Sequence, residues 1–179
     1  MMLNQKNYKN NRLYEKTLPA GLLNGQGIAP LNRYRYGLFS YAWCGCEIIA
    51  VYNLLQMYGK PQKLCDIGKE IYPYGHLLGG FFGTNVYTLK YYFYTHRIPV
   101  KTVYKKSVFL RLAPKSRYGV VSFWTGCVMA SSIHTVAYRI EKDGTVSVFN
   151  RYNNRNFTYH FDTVEESFGA YSFIVANIL

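Results

Sequence analysis

The run CEIIAVYNLLQMYG, from Cys46 to Gly59, constrains the fold most. Ile49, Val51, Leu54, Leu55 and Tyr58 recur at helical spacing and leave the helix apolar on most sides. A helix patterned this way has no face to give to water, so the rest of the chain must surround it. Gly59-Lys60-Pro61 stops it, and Pro61 is placed to open a short helix through Leu64, Ile67 and Ile71.

Beyond this helix the chain changes character twice. Residues 73 to 83, PYGHLLGGFFG, read as a loop too apolar for free solvent, a candidate cleft wall with turns at Gly79, Gly80 and Gly83. Thr84 or Asn85 caps a helix running to about His96, with Val86, Leu89, Tyr92 and Phe93 facing inward. After Ile98-Pro99 come short β-rich runs at 100–104, 118–124, 134–141, 145–150 and 172–179. A helix after Ser107 and another after Asp162, with Glu165 completing a cap, interrupt them. Helices first and antiparallel strands later make an α+β architecture. Residues 1 to about 35, rich in Asn, Lys and Gly without a sustained period, read as an irregular arm on a single domain spanning 1–179.

Apolar residues make up 49% of the 179 and charged ones 17%, which excludes disorder, and 19 Tyr with 11 Phe supply rings for a core. The formal charge of +12 would attract nucleic acid, anionic lipid or an acidic polymer. The basic residues are spread out, however. With no run of five and no RNP, zinc-finger or helix-turn-helix signature, nucleic-acid binding ranks behind an enzymatic role. No window approaches the roughly 18 apolar residues of a membrane span, and the first thirty residues lack a secretory h-region. The expectation is a cytoplasmic protein, unless a signal peptide has been removed. Cys44, Cys46, Cys65 and Cys127 form neither paired CxxC motifs nor a disulfide framework, so no metal or cofactor is expected, and Cys65 and Cys127 read as small buried groups.

Three residue types carry the chemistry. Cys46 opens the buried helix, and His134 and Asn150 stand at the start and end of two β-like runs joined by Asp143-Gly144, a strong hairpin signal. Both therefore lie at one end of that hairpin. A thiol with a pKa of about 8.5 is a poor nucleophile until something stabilises its anion, which a helix N-terminus and an imidazolium each do. His134 would act as base and then acid, and the Asn150 amide oxygen would fix the imidazole tautomer. His76, His96 and His160 lack metalloprotease spacing, and Glu47 is expected to point to solvent or pair with a basic residue, since a carboxylate beside the thiol opposes ionisation.

The strings GCEIIAVYNLLQMYG, HTVAYRIEKDGTVSVFN and GGFFGTN resemble papain-like cysteine peptidases, in particular the bacterial branch that includes bacteriocin-leader (double-glycine) peptidases. The likeness covers the layout from about residue 36 onward, with close matching confined to those segments. It implies a papain-like fold, a peptide or protein substrate, cleavage of a peptide or isopeptide bond through an acyl-enzyme, Cys46 as nucleophile, His134 as acid/base and Asn150 as orienting residue. Cys44 is the alternative nucleophile, because Gly45 after it matches the Cys-Gly pair of the leader peptidases, whereas Cys46 better matches the distance to Gly59. The family places Gln about six residues before the nucleophile to donate to the oxyanion. Ser40 stands there, which leaves Ser40, Tyr41 or a remote Gln26 as oxyanion candidates. Two readings of other classes stay open: a degenerate papain-like module that binds a peptide without cutting it, and a basic binder of nucleic acid or an anionic polymer.

Overall fold

The computed structural model describes residues 2–81, 83–126 and 132–179. Helix α1 (Met2–Tyr14) is followed by the two-residue strands β1 (Arg35–Tyr36) and β2 (Phe39–Ser40). Then come α2 (Tyr41–Cys44), α3 (Cys46–Tyr58), α4 (Leu64–Gly75) and α5 (Leu89–Thr95). The second half holds β3 (Lys101–Val103), α6 (Lys106–Leu112), β4 (Tyr118–Thr125), β5 (Ser132–Ile140), β6 (Val146–Phe149), β7 (Tyr159–Phe161), α7 (Val164–Phe168) and β8 (Ser172–Ile178). The main sheet has the order β3-β8-β4-β5-β6-β7, antiparallel throughout. The chain is thus α+β, with helices first and the sheet after. Among the described residues no helix is long and apolar enough to cross a membrane.

α3 is buried from Cys46 through Leu55 and ends at Gly59 in the left-handed conformation (φ 80°). Each Leu or Ile buried there contributes about 1.5–3 kcal/mol. α3 lies on one face of the sheet in a core with Tyr118, Val120, Ala137 and Phe149. The other face carries Val121, Phe123, Val136, Tyr138 and Val148 beneath Phe109 of α6 and Phe168 of α7. Side chains alternate across strands, so neighbouring β5 residues supply opposite cores.

The irregular arm expected over residues 1 to about 35 is corrected at its start, where α1 is helical. Its fully buried residues are asparagines, with Tyr8 and Tyr14 packed half-buried against the core beside them. Asn4, Asn7 and Asn11, spaced three and four apart, donate to the carbonyls of Lys69 (3.1 Å), Gly37 (2.8 Å) and Arg35 (2.9 Å). A row of asparagines carries no hydrophobic period for a sequence to display. α4 begins at Leu64, three residues after Pro61, and extends through Gly75. Its first N–H groups are capped from a distance: Glu15 Oε1 accepts from Leu64 N (2.8 Å) and Oε2 from Cys65 N (3.3 Å). The cap on α7 is Thr163 with Glu166, not Glu165: Thr163 Oγ1 accepts from Glu166 N (3.0 Å) and Glu166 Oε2 from Asp162 N (2.8 Å). The helix expected at 84–96 opens as a 3-10 turn at Val86–Thr88, with the Asn85 side chain accepting from Tyr87 N, and all four inward residues are buried.

Candidate active site

α3 starts at Cys46 because Gly45 lets the chain turn from α2 into α3 against Tyr41. A Cβ on Gly45 would meet Tyr41 Cβ at 2.6 Å, so close approach excludes any larger residue there. This turn sends the two neighbouring thiols apart. Cys44 Sγ faces back to the carbonyls of Ser40 (3.3 Å) and Tyr36 (3.5 Å). Cys46 faces β5.

The place where it meets β5 follows from the sheet register. Ile140 donates its N–H to Arg117 O (3.0 Å) on the β4 side, and Glu141 donates to Thr145 O (2.8 Å) on the β6 side. Backbone groups alternate along a strand, so odd-numbered β5 residues point theirs toward β6. The last β5–β6 pair is Ala137 with Phe149. Thr135, two residues further on, therefore aims its N–H at an edge that β6 has already left. That N–H interacts with the Cys46 sulfur and favours its anion.

His134 precedes Thr135 on β5, and strand alternation starts its side chain on the opposite face, with its ring edge-on to Phe123 (centroids 6.0 Å). The His134 Nε2 lies 2.7 Å from the backbone carbonyl oxygen of Asn150. A carbonyl only accepts, so Nε2 carries the proton and Nδ1 is the basic nitrogen of the neutral ring. The hairpin thus brings His134 and Asn150 together as its Asp143-Gly144 turn implied. The bond differs from the one expected: the main chain of Asn150, not its side-chain amide, holds the imidazole. Burial first, and the charge of Arg151 after it, push the His134 pKa below its ordinary value, against the favourable bond to Asn150.

The Asn150 side chain is engaged elsewhere. Its Oδ1 accepts from Gln26 N (3.1 Å) and its Nδ2 donates to Gln26 Oε1 (2.8 Å), while its own N–H donates to Asn24 Oδ1 (2.6 Å). Asn150 is fully buried at φ 58°, a left-handed conformation that Asn tolerates better than most residues. Gln26 Nε2 continues the chain of bonds to Ala42 O (3.2 Å). Segment 24–27 thereby lines the site, threaded beside Asn153 and Arg155. Gly27 N donates to Asn153 O (2.8 Å), and a Cβ on Gly25 would meet Arg155 O at 2.8 Å. The glycines flanking Gln26 were the sequence's one trace of this approach. Ser40, the oxyanion candidate by position, precedes α2 without a side-chain capping bond to it, and its carbonyl faces Cys44.

Glu47 overturns its expectation. It is buried, neither ion pair among the described residues involves it, and its Oε2 accepts from the Cys46 thiol at 3.0 Å. Burial pushes the Glu47 carboxyl up to about 7. Burial, then the charge of Glu47 and its hydrogen bond, raise the Cys46 thiol well above its usual value, outweighing Thr135. Burial also pushes Cys44 up to about 12. The helix N-terminus at Cys46 favours a thiolate, but desolvation dominates in this arrangement. No hydrogen bond joins Cys46 directly to His134.

Cys65 is buried at the start of α4, and Cys127 lies outside the described residues. His96 pairs with Glu70 (2.9 Å), His160 bonds Ser147 (3.1 Å) and His76 stacks on Tyr72. Among the described residues no group of three His, Cys, Asp or Glu is placed to hold a metal ion. Comparison with protein families, curated proteins and solved structures finds no match to this chain. The functional reading rests on the residues themselves.

Proposed function

We propose that this chain is a papain-like thiol hydrolase that cleaves a peptide or isopeptide bond through a Cys46 acyl-enzyme. One observation carries the reading. The Cys46 sulfur meets the Thr135 N–H on the short edge of β5 that β6 leaves open, and His134, the residue before Thr135, is held at that same strand end by the Asn150 carbonyl. In the resting state the thiol proton is shared with Glu47. Rotation of the Cys46 side chain toward His134 Nδ1 transfers that proton to the imidazole. The thiolate then attacks the substrate carbonyl, and the imidazolium returns the proton to the departing amine. Water, deprotonated by the same nitrogen, releases the acid and regenerates the thiol. Asn150 positions the imidazole through its carbonyl, and Gln26 braces Asn150.

The test is covalent capture by a peptide aldehyde, read by intact mass and peptide mapping. The adduct is expected on Cys46, retained in Cys44→Ala and absent from Cys46→Ala. Its formation should slow by about 10²–10⁴-fold in His134→Ala, the range for loss of a general acid/base. Capture at Cys44, or capture indifferent to His134, would refute the proposal. The Cys46–Glu47 bond favours a second reading, a cleft that binds peptides and does not cut them. Reversible peptide binding with no adduct would select it.

A further inference from the structure

Away from this site, one surface combines exposed rings with an excess of positive charge. Tyr87, Tyr91, Tyr94 and Tyr104 are each more than half exposed. Tyr87, Tyr91 and Tyr94 are spaced four and three apart through the turn into α5, so they share one face. The Tyr87 ring lies parallel to that of Tyr104 at the end of β3, with centroids 6.2 Å apart and planes at 27°. Tyr74 braces Tyr91 edge-on at 5.0 Å. Lys90, one turn from both Tyr87 and Tyr94, is exposed, as are Arg97, Lys101 and Lys105. From residue 71 to residue 140 the chain has nine Lys and Arg and no Asp or Glu, and the acidic residue just outside that stretch, Glu70, pairs with His96 (2.9 Å) at the end of α5.

We infer that this tyrosine-lysine face binds single-stranded nucleic acid, with bases stacked on the rings and phosphates held by the lysines and arginine. Stacking on aromatic platforms flanked by cations suits every base and needs no base-specific motif, so the signatures absent from the sequence are not required. A duplex would offer the rings no free base face. A membrane surface fits less well, because the large hydrophobic side chains exposed between residues 83 and 105 are all tyrosine, each bearing a hydroxyl, with no aliphatic side chain to enter hydrocarbon. A neutral glycan would use the rings without the charge.

The experiment titrates the full chain against fluorescein-labelled oligo(dT) of twelve nucleotides, followed by anisotropy between 50 and 300 mM salt. Affinity should fall with salt, with a slope of about −0.7 per phosphate contact. Tyr91→Ala and Tyr94→Ala should each weaken binding by about fivefold to a hundredfold. Lys90→Gln with Lys105→Gln should flatten the salt slope, while Lys142→Gln in the β5–β6 turn should leave it unchanged. All are surface substitutions, and an unaltered melting temperature confirms that the fold is intact. No binding at 50 mM salt, equal weakening by Lys142→Gln, or indifference to both tyrosines would overturn the inference. So would binding to phosphatidylglycerol vesicles in place of the oligonucleotide.

Discussion

Helices α1 and α3 are each 13 residues long, yet they are held to the molecule by opposite means. α3 buries ten consecutive residues from Cys46 to Leu55. α1 fully buries two, Asn7 and Asn11, whose side-chain amides bond backbone groups of other segments, and only half-buries Tyr8 and Tyr14 against the core. Apolar burial is additive and indifferent to direction, so it tolerates neighbours that shift slightly. Amide docking requires a particular carbonyl at a particular distance, so it specifies one partner and gives little energy per contact. The candidate site uses both. α3 delivers Cys46 to β5 by apolar packing, and the Gln26–Asn150 clasp sets the place of the imidazole by directed bonds.

Stability measurements sharpen this contrast. Leu54→Ala, at a fully buried α3 position, should destabilise by about 2–5 kcal/mol in urea unfolding. Asn11→Ala removes the bonds of its side chain to Arg35 O (2.9 Å) and from Arg35 N (2.8 Å), and should cost less, about 1–3 kcal/mol. Faster hydrogen exchange in this variant should be confined to α1 and the β1–β2 hairpin. If Asn11→Ala unfolds the chain as readily as Leu54→Ala, α1 belongs to the cooperative core and the contrast fails.

The smallest effect concerns pH. The Glu47 carboxyl titrates near 7 when folded and near 4.5 when unfolded, so between those values the folded state holds the extra proton. Stability from this group is therefore full below about 4.5 and is lost as pH rises through about 7. His134, lowered on folding, acts in the opposite sense, adding stability as pH rises toward 6.5. Glu47→Gln should remove only the first contribution, so its urea midpoint should rise relative to the native chain between pH 5 and 8. Parallel midpoints across that range would mean that Glu47 is not buried in its neutral form.

The features legible in the sequence share one property: their signal is local. Ile49, Leu54 and Leu55 announce α3, and Gly59 its end, because helical spacing and a left-handed stop are written within one segment. Asp143-Gly144 announces the β5–β6 hairpin and with it the meeting of His134 and Asn150. The remainder is non-local. Nothing near Gln26 indicates Asn150, 124 residues away. Nothing near Glu15 indicates that it caps α4, 49 and 50 residues on. The expectation for Glu47, solvent or a basic partner, rests on the repulsion between a carboxylate and a thiolate, and only the packing around α3 turns it inward against the thiol.

The amino-acid sequence by itself determined the α+β order of elements, the buried helix and the hairpin, since each follows from periodicity and turn chemistry within a short stretch. The tertiary structure alone decided which thiol of the C-G-C turn faces β5, which atom of Asn150 holds the imidazole, and what the Cys46 proton bonds. Those outcomes depend on strand register and on contacts between residues far apart in the chain. Directed hydrogen bonds of that kind leave no periodic trace in sequence.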